Sequence, residues 1–249
     1  MRKIIISVLL ILSIALAAGY IFPGVFRKIR PQSQKPAPKS VKASRPERIG
    51  EKITYDVRMG KLSLGKAVFN HLSKIEFKGR EVRFVTFETK LVRFSDVEKI
   101  YSDIETLLPL RVERFISSWP FSEHIIEDYD QEKFILTIKK IKRKKEENIV
   151  IKKNNCINNA ILLPFFVRDM EDLRVGYTLM ARLPTQEFLI ELVAEEEVVV
   201  PAGKFMAYRF ISKPKKFEIW ISRDKRRIPL KIKGAGGLGY TLVMKEYSL

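Results

Sequence analysis

From Glu51 onward the apolar residues of this chain recur at every second position, and that spacing limits its fold class more than any other feature. Ile53, Tyr55 and Val57 alternate with Lys52, Thr54, Asp56 and Arg58. Val82, Phe84 and Thr86 alternate with Arg83, Val85 and Phe87, and Phe134, Leu136 and Ile138 oppose Ile135, Thr137 and Lys139. A repeat of two sends successive side chains to opposite faces of a strand, whereas a helix repeats every 3.6 residues. Several runs are apolar on both faces. Turn-forming residues interrupt them at Met59-Gly60-Lys61, Lys78-Gly79-Arg80, Asp128 to Lys133, Pro201-Ala202-Gly203, Arg223-Asp224-Lys225 and Gly234 to Gly239. Runs such as Glu187–Val200 are long, and a wide flat sheet of long strands aggregates through its edges unless it curls or closes. The expected fold is therefore mainly β. It is one antiparallel, strongly curved or barrel-like meander of about ten strands, with a short helix near Asn158–Asp172 interrupted by Pro164. Strands do not alternate with helices, which argues against a parallel layout.

A stretch of a different kind precedes this domain. Ile4 to Phe26 is 23 residues without a charge, flanked by Arg2 and Lys3 on one side and by Arg27, Lys28 and Arg30 on the other. As a helix it would reach about 34 Å, enough to cross a bilayer core. Two readings stand: a signal peptide cut after Ala15-Leu16-Ala17, or a retained signal-anchor, since apolar residues continue through Tyr20, Ile21, Phe22 and Val25. The expected organisation is a signal-anchor or signal peptide over 1–30, a Pro/Lys-rich linker over 31–49 and one exported β domain over 50–249. That address is inner-membrane anchored or secreted, with the domain in the periplasm or another extracytoplasmic space. The linker is too poor in apolar residues to order itself. The single Cys156 rules out an internal disulfide, so the domain depends on its core.

The net charge of +18 is local. Residues 1–50 carry a net +9 and residues 139–153 a net +6, which leaves only +3 for everything else. Lys139, Lys140, Lys142, Arg143, Lys144 and Lys145, followed by Glu146 and Glu147, read as a cationic hairpin tip. Its expected contact is an anionic lipid or envelope polymer. Nucleic acid, the usual partner of basic runs, would not be met across the membrane.

Sequence signatures of catalysis are missing. There is no G-x-S-x-G, H-E-x-x-H, P-loop, G-x-G-x-x-G opening a helix, or C-x-x-C, so neither a catalytic residue nor a cofactor or metal is expected. His71 lies in a strand pattern. His124 with Glu123, Glu127 and Asp128 makes a poor metal set, because residues 124 and 127 of a strand point to opposite faces. Glu195-Glu196-Glu197 reads as a solvated charge run. Most aromatics must be core; those expected to wall a ligand are Trp119 and Phe121 around Pro120, Phe165 and Phe166 beside Pro164, and Trp220.

Ordered motifs carry a family resemblance. Gly50-Glu51-Lys52-Ile53-Thr54-Tyr55-Asp56-Val57 precedes Gly65, then Tyr101-Ser102-Asp103 to Pro109, and Asp128-Tyr129-Asp130. Pro201-Ala202-Gly203-Lys204-Phe205, Trp220-Ile221-Ser222-Arg223-Asp224 and Arg227-Ile228-Pro229 follow. Together they resemble the uncharacterised bacterial exported domain-of-unknown-function family 3108, across nearly all of residues 50–249. The resemblance implies an exported, mainly β protein with a signal or anchor, and it supplies no activity. The leading expectation is a non-enzymatic cell-envelope protein that binds a lipid-like or apolar ligand in the concave face of the sheet. The alternatives are an envelope scaffold or assembly factor acting through protein contacts at a sheet edge, and an enzyme on an envelope polymer, which would need two carboxylates to meet.

Overall fold

The computed structural model describes residues 48–143, 145–234 and 240–249. The expected N-terminal apolar helix, the linker through residue 47, and Lys144 lie outside them. Among the described residues no helix is long and apolar enough to cross a membrane.

The strands of the first half are β1 (Lys52–Met59), β2 (Leu62–Phe77), β3 (Arg80–Leu91), β4 (Phe94–Ser102), β5 (Pro109–Ser118), β6 (Phe121–Asp130), β7 (Ile135–Lys142) and β8 (Lys145–Lys152). Those of the second half are β9 (Thr178–Arg182), β10 (Glu187–Val200), β11 (Gly203–Lys213), β12 (Phe217–Ser222), β13 (Pro229–Gly234) and β14 (Tyr240–Ser248). Between the halves lies one helix, α1 (Leu163–Arg168). All strands join one 14-stranded sheet in the order β8-β7-β6-β5-β4-β3-β2-β1-β14-β13-β12-β11-β10-β9. Each neighbour is also a sequence neighbour except β1, which pairs antiparallel with β14 as well as with β2. The sheet is thus a meander opened between β8 and β9, and it is not closed. The expectation of about ten strands was low because β9, β12 and β13 span only five or six residues, too few to display an alternation.

Pro164 does not interrupt a longer helix, as the sequence suggested. It sits in the first turn of the six-residue α1, where its missing N–H would have had no helical partner, and the chain on either side is irregular.

The sheet bends strongly. Tyr240 of β14 feels the charges of Glu98, Arg114 and Asp96 on β4 and β5, although β14 and β4 are four ladder steps apart, about 19 Å in a flat sheet. The middle of the connecting segment, residues 157–168, enters the concave side. There α1 joins two apolar clusters: Leu162 and Phe165 belong to one with Ile53, Tyr55, Phe69 and Ile138. Leu163 and Val167 belong to the other with Phe188, Ile190, Phe210 and Ile219. The Phe165 ring stacks on Phe69 with centroids 3.6 Å apart. Residues 48–249 therefore contain every strand among the described residues, both clusters and the ion pairs that bind them, and this span carries its own core.

Candidate functional site

Strand alternation places charged groups among the inward residues of the first half. On β4, Asp96 and Glu98 are buried in step with Phe94, Ile100 and Ser102. On β5, Arg114 is buried in step with Val112 and Ile116. The Arg114 guanidinium donates from Nε and Nη2 to the Asp96 carboxylate and lies 3.5 Å from Glu98 Oε1. On β6, Glu127 accepts from the Tyr129 hydroxyl. Burial pushes the Glu98 carboxyl up to about 8, opposed by Arg114 and reinforced by Asp96 and Glu127. Burial likewise raises Glu127 and the Tyr240 hydroxyl. The interior thus holds a carboxylic acid protonated at neutral pH beside a guanidinium–carboxylate pair, a group able to donate a proton or a hydrogen bond.

A second polar cluster fixes the C-terminal end of α1. Arg168 donates to both Glu51 oxygens at 2.9 and 2.8 Å and to the Arg226 carbonyl at 2.7 Å. Arg48 pairs with Asp169 at 2.7 Å, and Arg227 donates to the Met170 carbonyl. These bonds tie the helix to the approach to β1 and to the turn after β12. Beside them His71 is buried on the inner face of β2; burial, aided by Arg83, pulls its imidazole down to about 4. Together with Phe69, Leu162 and Phe165, the side chains of Glu51, His71, Arg168 and Asp169 line a cavity of about 20 Å³, about the room for one water.

The aromatics nominated by sequence do not converge on one wall. Trp119 is exposed on the β5–β6 turn, and Phe121 lies next to it beneath the Arg143 guanidinium, 4.2 Å from the ring centroid. Phe165 is buried in α1 and Phe166 half-buried. Trp220 is buried on the face of β12 opposite Ile219 and Ile221; its indole N–H donates to Glu196 at 2.7 Å, and Lys231 and Arg209 lie over its ring. Glu195-Glu196-Glu197 is more than solvated charge, because Glu195 pairs with Arg223 and Glu197 with Lys204. In the basic run, Lys139 pairs with Glu146, Lys142 approaches Glu123 at 4.0 Å, and Lys145 opens β8. Lys140 is half-buried and contributes to the field at Glu127. The run is the β7–β8 hairpin tip, as expected, and Arg143 joins it to the Trp119-Pro120-Phe121 turn.

The inner charged residues were missed, although a signal existed. Phe94, Asp96, Glu98 and Ile100 share one parity, so two acids occupy the face that the flanking apolar residues mark as buried. Read as strand positions rather than as catalytic spacings, they would have been found.

Comparison with known proteins matches this molecule to a family. The family described as a protein of unknown function (DUF3108) matches residues 54–244, and the chain belongs to it. Among solved structures, a β-barrel-like protein of the DUF1849 domain of unknown function from Brucella abortus is 9% identical, with a TM-score of 0.49 over 81% of this chain and 98% of that one. A protein from Bacteroides fragilis, described as exported and with a YmcC-like fold, is 11% identical, with a TM-score of 0.29 over 82% of this chain and 98% of that one. No curated protein matches the sequence.

Proposed function

We propose that this DUF3108 protein is a non-enzymatic cell-envelope protein that binds a lipid-like or apolar ligand on the concave face of its sheet. The observation that carries the reading is the occupant of that face. An apolar inner surface built from many strands is covered in part by one six-residue helix, which with its N-cap Leu162 contributes Leu163, Phe165 and Val167 and is held by hydrogen bonds at one end. The cavity left beside it is about 20 Å³, far below the roughly 300 Å³ of an ordinary ligand pocket, so a ligand enters only where the helix withdraws. The buried carboxylates are taken as structural, since Asp96 and Glu127 each have a partner. The uncharged stretch of residues 4–26 supports an extracytoplasmic, membrane-linked address.

The test is saturable binding of a fluorescent fatty acid to the purified protein, beside native mass spectrometry for co-purified lipid. Arg48→Ala, which removes the Arg48–Asp169 ion pair and so loosens the end of the helix, is expected to increase binding. Absence of saturable binding in both forms, with no lipid carried through purification, refutes the reading.

One observation favours contact with another envelope protein instead. β8 is an edge of the sheet, with no strand on its far side among the described residues, and Val150 is exposed on it; such an edge can accept an added strand. Crosslinking from β8 to a single protein in cells would select this reading.

A further inference from the structure

Alternate connections of a meander fall at the same end of the sheet. The turns β1–β2, β3–β4, β5–β6 and β7–β8 therefore form one rim, while β2–β3, β4–β5 and β6–β7 form the other. The first rim exposes a large apolar side chain at three successive tips: Leu62 at 60%, Val92 at 77% and Trp119 at 79%. On the opposite rim Leu107 is buried, and Ile104, Leu108 and Phe134 are at least partly covered.

Charge divides the same way. The first-half connections of this rim, residues 60–61, 92–93, 119–120 and 143, contain Lys61, Arg93 and Arg143 and no acid. Lys90, Lys142 and Lys145 flank them, while Glu88, Glu123 and Glu146 stand a step back, near Lys90, Lys142 and Lys139. The opposite connections carry Asp103, Glu105 and Glu132 against Lys78 and Lys133.

An exposed indole at a tip, two further apolar tips and a row of cations without interspersed acids match one surface chemistry. Trp settles at the boundary between headgroups and acyl chains, and Lys and Arg are drawn to anionic headgroups. We infer that this rim docks on the interfacial layer of an anionic bilayer. Leu62, Val92 and Trp119 enter the headgroup boundary, and Lys61, Arg93, Arg143 and Lys145 meet lipid phosphates. The surface is separate from the concave face and does not depend on what binds there.

The test uses the span 48–249, whose core is self-contained and which lacks the apolar stretch that would itself enter lipid. Its binding is measured to vesicles of phosphatidylcholine alone and with phosphatidylglycerol, carrying brominated chains that quench indole fluorescence. Expected are binding and quenching on anionic vesicles, loss of the quenching in Trp119→Phe, and about a hundredfold weaker binding in the Arg93→Gln/Arg143→Gln/Lys145→Gln variant, at about fivefold per cation. Salt at 0.5 M should release the protein, because its screening length is only about 4 Å. All four positions are exposed turn or strand-end residues, so an unchanged circular dichroism spectrum is expected for each variant. Equal binding to neutral vesicles, quenching that survives Trp119→Phe, or no binding to either vesicle overturns the inference; the last outcome would leave the rim to an acidic protein surface.

Discussion

Burying Glu98 makes stability depend on pH in a direction opposite to that of most acids. The carboxyl titrates near its ordinary 4.5 in an unfolded chain and near about 8 in the fold. Between those values the folded state holds a proton that the unfolded state has released, so stability is full below about 4.5 and is lost as pH rises through about 8. At about 1.4 kcal/mol per pH unit the loss between those two values is at most about 5 kcal/mol. Glu98→Gln keeps the shape and polarity of the protonated acid and cannot ionise. Asp96 still holds Arg114 by two hydrogen bonds, so the local pairing survives. In urea denaturation the two should be close near pH 4.5, and the wild type should fall progressively behind the variant up to about pH 8, by about 2–3 kcal/mol between pH 6 and 8. A wild-type profile that stays level, or a variant that loses as much as wild type by pH 9, would refute the assignment of a neutral acid to this position.

The acid side has its own control. His71 is pulled down to about 4 from 6.5, so its contribution is present above about 6.5 and is lost as pH falls through about 4; His71→Gln should lessen the acid loss without altering the alkaline one. At the foot of the helix, Glu51→Gln leaves the buried Arg168 guanidinium facing a neutral amide. It should cost about 3 kcal/mol, visible as a lower urea midpoint with an unchanged slope; a change below about 0.5 kcal/mol would mean the pair does not hold α1.

Strand after strand was legible in the sequence because inward and outward positions alternate, as Ile53, Tyr55 and Val57 do, and because Gly60, Gly79 and Gly203 mark turns where φ is positive. The pairing of β1 with β14 was not legible. No local signal joins Lys52 to Ser248 across the whole chain, since register between distant strands is set by which faces must be buried together. The same reason hid the Glu51–Arg168 bond, whose partners are 117 positions apart. Asp96, Glu98 and Arg114 were hidden by expectation rather than by physics, because acids on a buried strand face look like errors of phase until a cation is found on the neighbouring strand. Trp119 and the basic run were each noticed, but only the ladder β5-β6-β7-β8 shows that they share a rim.

The breadth of the sheet explains why a helix lies inside it. Fourteen strands closed in a ring would enclose a lumen too wide for side chains alone to fill, since about eight already suffice for a filled interior. Leaving the ring open between β8 and β9 lets the sheet curl more tightly and lets residues 157–168 turn inward as filling. Such a filler has two possible natures, and Phe165→Ala separates them. Removing the ring that stacks on Phe69 should cost about 3–4 kcal/mol whichever nature holds, through lost transfer energy and the space left behind. If the helix stands in for a ligand, that space is continuous with a site, and a fatty acid at a hundred times its dissociation constant should restore about 2.7 kcal/mol by binding the folded state alone. If the helix is ordinary core, the variant stays destabilised at every ligand concentration. Thermal melts of wild type and variant with and without fatty acid decide it: an unfolding temperature that rises with ligand, more steeply in the variant, supports a displaceable plug, and melts indifferent to ligand make α1 a fixed part of the core.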